Sequence, residues 1–337
     1  MIWVVFPDPS IPSNVIKKDF LIHVMLIIFL FCIIDIGFKK LNPPQKSFQV
    51  YNYNDLINNI DNADVLVISG LWQNELIEKA KNLKYIQLTG VGYDGYDLNK
   101  LKKNNIKLCN AVGLNRIVVA EHTISLILAL SRFLHIARDN QLKKYWAPFI
   151  SDPLERQSEI NGKTVVIFGL GDIGNTIAKF CKNFEMNVIG IKRDTNIKSE
   201  YTDKVLHTSK FHEAVKEADF LVISSSLNEE TNQIIDKKVF NNMKETSYLV
   251  NVARGGCVNE QDLIEALNNN KIKGAALDHL STEPLDINNP LWDFENVIIT
   301  PHTAGETPNY ETVIPEILIE NIEHLKNDND NLLHRVV

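Results

Sequence analysis

Apolar residues along the chain fall into short runs, separated by stretches whose apolar positions recur at helical spacing. Strand-like runs lie at 2–6, 48–51, 63–68, 85–88 and 106–109, with helical stretches such as 74–82 between most of them. A second series starts at 164–168 and continues at 187–191, 219–223, 248–252, 274–277 and 297–300. Short apolar strands alternating with helices predict parallel, doubly wound sheets. Between the two series, 116–138 reads as one long helix, apolar nearly all round at Ile124, Leu126, Ile127, Leu128 and Leu130. A helix apolar on most faces is expected to be buried, here between two domains. Asn259 has the character of a helix cap, and the chain closes with a helix over 311–326 that is expected to pack back on the first domain.

One segment departs from this alternation. Residues 20–34 are almost wholly apolar, interrupted by His23, and with 36–38 the stretch approaches the length of a membrane span. No basic n-region or small-residue cleavage site marks it as a removable signal. A buried helix is the preferred reading over contact with a membrane through 20–38. If 2–6 and 48–51 are strands of one sheet, the segment between them cannot leave for a bilayer.

Composition narrows the picture. At 337 residues the chain suggests two domains, and 45% hydrophobic with 23% charged residues is an ordinary globular balance. The net charge of −7 and the lack of a basic run argue against nucleic acid as a partner. The four cysteines (Cys32, Cys109, Cys181 and Cys257) form no C-x-x-C pair, so neither a metal site nor a disulfide framework is expected, and a reducing, cytoplasmic compartment fits.

The strongest local signal follows the strand 164–168. Gly169-Leu170-Gly171-Asp172-Ile173-Gly174 is G-x-G-x-x-G between a strand and a helix. Gly169 permits the tight turn, Gly171 lets the backbone approach a pyrophosphate, and Gly174 lets helix and strand pack closely. The N–H groups of the first helical turn, at Asp172 and Ile173, then face the anion. This predicts a nicotinamide dinucleotide rather than a merely structural turn. After the next strand, where an NAD-specific site usually carries an acid, stand Lys192 and Arg193. A cation pair there would hold a 2′-phosphate, so NADP(H) is expected over NAD(H). The alternative is a solvated basic loop with Asp194 reaching the ribose.

Three further residues stand just beyond predicted strands of the second series, where open α/β sheets bind ligands: Arg254, Glu283 and His302. Reduction of a 2-oxo acid needs a proton donor at the carbonyl oxygen, which suits a histidine. A carboxylate beside the ring orients it and favours its charged form. A bidentate arginine would anchor the substrate carboxylate. Each residue alone reads as an ordinary surface group; as a set downstream of a dinucleotide turn, they read as proton donor (His302), partner (Glu283) and substrate anchor (Arg254). No role is assigned to the other eight histidines.

These motifs, together with Gly90-Val91-Gly92-Tyr93-Asp94, Val119-Ala120-Glu121-His122, Asn251-Val252-Ala253-Arg254-Gly255 and Thr300-Pro301-His302, resemble the D-isomer-specific 2-hydroxyacid dehydrogenase family from about 63 to about 305. The resemblance implies two Rossmann-like α/β domains with parallel sheets, a flavodoxin-like outer one (1–112 plus 307–337) and a dinucleotide-binding inner one (113–306), with an active-site cleft between them. It implies a homodimer formed through the cofactor domain. Arg254, Glu283 and His302 match the family's catalytic residues. Val252, Ala253, Asp278 and His302 are expected on the cofactor, and Gly70, Val91, Gly92 and Arg254 on the substrate. The expected reaction is reversible hydride transfer between nicotinamide and C2 of a small D-2-hydroxy or 2-oxo acid of glyoxylate or hydroxypyruvate type. Phosphoglycerate or phosphite oxidation is the enzymatic alternative, and a dinucleotide-sensing co-repressor or scaffold is the alternative of another class. The sequence departs from the family in having Lys192 where an acid is frequent, and His279-Leu280 after Asp278 where Val-Phe is usual.

Overall fold

The computed structural model describes residues 23–27, 46–196, 199–327 and 329–337. It divides into two compact units, one of residues up to Leu114 together with Thr307–Val337, the other Asn115–Glu306.

In the first unit, strands β1 (His23–Ile27), β2 (Lys46–Val50), β3 (Val65–Ile68), β4 (Tyr85–Leu88) and β5 (Lys107–Cys109) form one sheet in the order β2-β1-β3-β4-β5. Every pairing is parallel, and the 2-1-3-4-5 order is flavodoxin-like. Helices α1 (Tyr53–Asn59), α2 (Leu76–Lys79) and α3 (Leu98–Lys103) connect the strands. Asn52 and Asp97 start α1 and α3 by accepting from the N–H groups of Asp55 and Lys100. Leu56, Ile60, Leu76, Ile86 and Leu101 share one buried cluster in this unit.

The helix reading of 20–38 is corrected at residues 23–27, which are a strand lying between β2 and β3. The rest of that segment lies outside the described residues. An interior strand of a parallel sheet is a continuous apolar run, and such a run carries no period that separates it from a buried helix. The expected strand at 2–6 lies outside the described residues. No single helix among the described residues is long and apolar enough to cross a membrane.

The second unit begins with α4 (Arg116–Ser131) and α5 (Leu134–Leu142). The single helix expected over 116–138 is therefore two, bent by 70°. The break falls at Phe133, whose φ of +53° is left-handed and cannot continue a helix. Strands β6 (Thr164–Phe168), β7 (Asn187–Lys192), β8 (Lys204–His207), β9 (Phe220–Ile223), β10 (Tyr248–Asn251), β11 (Gly274–Leu277) and β12 (Val297–Ile299) follow. They alternate with α6 (Asp172–Asn183), α7 (Phe211–Ala214), α8 (Lys237–Asn242) and α9 (Glu260–Asn268). The sheet order is β12-β11-β10-β9-β6-β7-β8, parallel throughout. The order in which successive strands are added reverses between β6 and β9, which is the switch point where such sheets bind ligands. Strand β8 had no counterpart in the hydrophobic pattern, because it is an edge strand with no fully buried residue.

The chain then returns to the first unit through α10 (Tyr310–Lys326). Ile314, Leu318 and Ile322 pack there with Val65, Val67 and Tyr85. Asn321 pins the contact: its Nδ2 donates to the Tyr85 hydroxyl at 2.8 Å, and its Oδ1 accepts from Leu333 N at 2.6 Å. A buried polar group must find such partners, and these hold helix and tail to the sheet.

Candidate active site

The glycine turn leaves β6 at the switch point. Gly169 has φ +103°, and a Cβ there would lie 2.7 Å from Ser225 N, just past the end of β9. Gly174 is equally constrained, since its Cβ would lie 2.0 Å from Gly169 O. Gly171 differs: it is exposed, and a Cβ there would meet nothing within 4 Å. The turn is tied to the strands by Gly169 N donating to Ile191 O (3.0 Å) and Ser224 Oγ donating to Gly169 O (2.8 Å). Helix α6 has no side-chain cap, with Asp172 exposed and Ile173 half-buried in its first turn. The buried Ser225 Oγ beside the turn has no protein partner. An open Gly171, an uncapped helix start and an orphaned hydroxyl at the switch point together fit a dinucleotide phosphate group.

Lys192 ends β7, the strand next to β6, and is half-buried. Arg193 follows with its side chain 74% exposed, 3.5 Å from Glu230. Such an exposed pair is weak, so Arg193 is available to a stronger anion.

The residues expected to do acid–base chemistry meet on the far half of the same sheet. His302 Nδ1 lies 2.7 Å from Glu283 Oε2. An ionised carboxylate can only accept, so Nδ1 carries the proton and Nε2 presents its other face. Glu283 Oε1 is held in turn by the Leu280 N–H at 3.2 Å. The peptide bond Glu283–Pro284 is cis. His302 is half exposed and sits at φ +56° in the turn after β12. Asp278 builds that turn. It is 1% exposed, at the end of β11, and its Oδ1 accepts from Thr300 Oγ1 (2.6 Å), Thr303 N (2.9 Å) and Ala304 N (3.1 Å). Its backbone oxygen accepts from His302 N at 2.9 Å.

Arg254 follows β10 after the buried Val252 and Ala253, and its Nη1 donates to Ala253 O at 2.7 Å. Behind it lies Asn251, fully buried, whose Nδ2 donates to Arg254 O (2.9 Å) and whose Oδ1 accepts from Ala253 N (3.1 Å). Its role as a brace for the arginine loop was not visible in the sequence, where it reads as the last residue of a strand.

Two histidines that sequence reasoning left without a role also belong here. His122, on α4, has Nε2 3.1 Å from Thr300 Oγ1 and 3.7 Å from Asp278 Oδ1. His279 is 6% exposed; its Nδ1 is 3.5 Å from Glu283 Oε1 and its ring centroid 3.8 Å from that of His302. Burial first, then the neighbouring His302 and Arg254, pull the His279 imidazole down to about 3, so it is neutral in ordinary buffers. Its spacing four residues before Glu283 was the available signal.

The substrate-side expectations fall in the first unit. Gly70, at φ +70°, opens the loop after β3, where Trp72 stacks on Tyr96 at 5.1 Å. Val91 and Gly92 lie in the loop after β4, which is fixed by Asn110 Nδ2 donating to Val91 O (2.9 Å) and Ala111 N donating to Gly90 O (3.0 Å).

Known proteins carry the same pattern. The NAD binding domain of the D-isomer specific 2-hydroxyacid dehydrogenases matches residues 124–304, and their catalytic domain matches 45–168. A putative 2-hydroxyacid dehydrogenase of Staphylococcus epidermidis is 34% identical over 282 residues, 80% of this chain and 85% of its own. An acyclic imino acid reductase in complex with NADPH and D-Arg superposes with a TM-score of 0.81 at 27% identity, covering 94% of this chain and 100% of that one. An NAD-dependent formate dehydrogenase of Staphylococcus aureus in complex with NAD superposes with a TM-score of 0.81 at 25% identity, covering 94% and 99%. With both domain patterns matched over two parallel-sheet units, this chain belongs to the D-isomer specific 2-hydroxyacid dehydrogenase family, and its second unit carries that family's binding domain for a nicotinamide dinucleotide.

Proposed function

We propose that the protein is a reductase of small 2-oxo acids of glyoxylate or hydroxypyruvate type, working reversibly on the corresponding D-2-hydroxy acids with a preference for NADP(H). The observation that carries this reading is the 2.7 Å hydrogen bond between Glu283 and His302, formed in the same unit as the dinucleotide turn and Arg254. A nicotinamide dinucleotide held by the second unit would supply or accept the hydride at C2. His302 gives a proton from Nε2 to the carbonyl oxygen as the alcohol forms, and takes it back in the reverse direction. Glu283 fixes the ring by accepting from Nδ1 and offsets its positive charge when both nitrogens are protonated. Arg254 pairs with the substrate carboxylate and so orients the carbonyl. Asp278, Val252 and Ala253 are assigned to the nicotinamide end, and Gly169, Gly171, Asp172, Ile173 and Gly174 to the pyrophosphate. Gly70, Val91 and Gly92 are assigned to substrate contact through their backbone.

The NADP(H) preference rests on Lys192 and Arg193 standing beyond β7. Homodimerisation is supported by a run of exposed apolar side chains on and after α5: Leu134, Leu142, Tyr145, Trp146 and Phe149, with Trp146 95% exposed. A cytoplasmic location is supported by the buried Cys109 and Cys181, which are in no disulfide.

Nicotinamide absorbance in a panel of 2-oxo acids, with NADH and NADPH in parallel, tests the assignment. Turnover of glyoxylate or hydroxypyruvate is expected; no turnover of any 2-oxo acid with either cofactor refutes it. Neutralising Lys192 and Arg193 should raise KM for NADPH more than for NADH, and equal losses would reject the phosphate contact. A monomer in sedimentation would remove the dimer, and recovery in a membrane fraction would remove the cytoplasmic assignment.

A further inference from the structure

We propose that His279, Glu283 and His302 together form a binding site for a divalent transition cation, typified by Zn2+, whose occupancy blocks turnover. The inhibitory consequence rests on the reading of His302 as proton donor; the binding itself does not.

One ligand atom from each of the three residues can be chosen so that all lie within 4.8 Å of one another. Glu283 reaches both rings, one through each carboxylate oxygen: Oε2 lies 2.7 Å from His302 Nδ1 and Oε1 lies 3.5 Å from His279 Nδ1. Nitrogen and oxygen ligands about 2.0–2.2 Å from a tetrahedral zinc sit about 3.3–3.6 Å apart. The His279–Glu283 pair already has that spacing, and the His302–Glu283 pair needs to open by less than about 1 Å. Two imidazoles and one carboxylate are a common donor set for zinc and its neighbours in the transition series, whereas magnesium and calcium take oxygen sets.

The burial pattern suits capture. His279 is buried at 6% exposed, while Glu283 and His302 are on the solvent side with side chains 37% and 52% exposed. A cation therefore enters from solvent onto a buried base, and water fills the fourth position. Behind His279, Asp278 Oδ2 lies 3.6 Å from Nε2, so a carboxylate backs the ring on the side away from Nδ1. Carboxylates in that place orient metal-binding histidines. Arg254 opposes a cation here, but the carboxylates of Glu283 and Asp278 outnumber it. The usual zinc spacings do not reveal this set, because His302 comes from a different turn nineteen residues beyond Glu283.

Occupancy puts the metal on Nδ1 of His302, with the Nδ1 proton released to solvent. Glu283 then ligates the cation and no longer orients the ring. The dyad is taken apart by the same atoms that build it.

The test uses the full chain, stripped with a chelator and titrated with Zn2+ by calorimetry and with Co2+ by visible absorption. One ion per chain is expected, with Co2+ bands of a nitrogen/oxygen four- or five-coordinate site. His279→Phe, which keeps a buried ring but no ligand, should weaken binding by about 100-fold. Glu283→Gln provides a second variant if His279→Phe fails to fold by circular dichroism, and should weaken binding comparably. In wild type, turnover should fall in step with occupancy, and His279→Phe should resist the same Zn2+ concentration. Equal affinity in wild type and both variants overturns the site. Binding as expected with undiminished turnover overturns the inhibitory role and the proton-donor assignment with it. If no 2-oxo acid is turned over at all, the proposed function fails while the calorimetric and spectroscopic arms still decide the site.

Discussion

Replacing Asp278 with alanine should unfold the turn that presents His302, and the size of the effect can be worked from its contacts. The carboxylate is buried and accepts from one hydroxyl and two backbone N–H groups, Thr300 Oγ1, Thr303 N and Ala304 N. Alanine leaves both N–H groups without an acceptor, at about 1–3 kcal/mol each. The Thr300 hydroxyl can turn to His122 Nε2, 3.1 Å away, and adds little. The turn also holds His302 in the left-handed region, which costs a non-glycine residue about 1–2 kcal/mol and must be offset by these bonds. Against the sum stands relief from desolvating a carboxylate, which removes several kcal/mol of penalty in ideal cases. The net expected loss is about 2–4 kcal/mol. Asp278→Asn keeps the Oδ1 acceptor, so its loss should be smaller by at least half. The assay is urea unfolding without cofactor, so that lost cofactor contacts do not enter, followed by turnover. An Asp278→Ala protein within about 0.5 kcal/mol of wild type, the range of an inconsequential surface change, would refute the assignment of the carboxylate as the turn's anchor.

Other substitutions probe separate links. Gly174→Ala places a Cβ 2.0 Å from Gly169 O, so it should destabilise the second unit by about 1–3 kcal/mol in urea and weaken dinucleotide binding in fluorescence titration. Arg254→Lys keeps the charge but loses the two-pronged geometry, so KM for the 2-oxo acid should rise and kcat fall together; a change in KM alone would mean that the arginine only attracts the substrate. Asp203 is held below the usual carboxylate range by the Val188 N–H and then by Lys182. A depressed carboxylate contributes stability above its unfolded value of 3.8 that is lost as pH falls through the folded value. Asp203→Asn should therefore be less stable than wild type at neutral pH, with the gap closing in acid; a gap constant with pH would contradict the linkage. Burial pushes the Cys181 thiol up to about 12, so a thiol-reactive dye should label it on unfolding and not before.

Much of this molecule was legible in its one-dimensional pattern. Strands such as β4, β6 and β11 are short apolar runs whose burial on both faces needs no period to announce it. Gly169 and Gly174 could be read because steric demands at a dinucleotide turn are local: each glycine answers to atoms a few residues away or at the end of a neighbouring strand. Arg254, Glu283 and His302 could be named because each follows a strand end. Other features depend on what lies across the sheet. The strand at His23–Ile27 is specified by pairing with β2 and β3, and the apolar run alone did not distinguish it from a helix. Strand β8 draws its order from pairing with β7 rather than from burial. The break at Phe133 is a single backbone dihedral inside an otherwise helical pattern. Asn251 and His279 act through neighbours distant in sequence or set by the path of a turn. The Glu283–His302 hydrogen bond exists because Asp278 folds the turn after β12 back on the end of β11. The sequence by itself determined which side chains carry groups suited to the proposed chemistry. The tertiary structure decided which of them meet, because distances between side chains on separate strands are a property of the sheet and not of the chain.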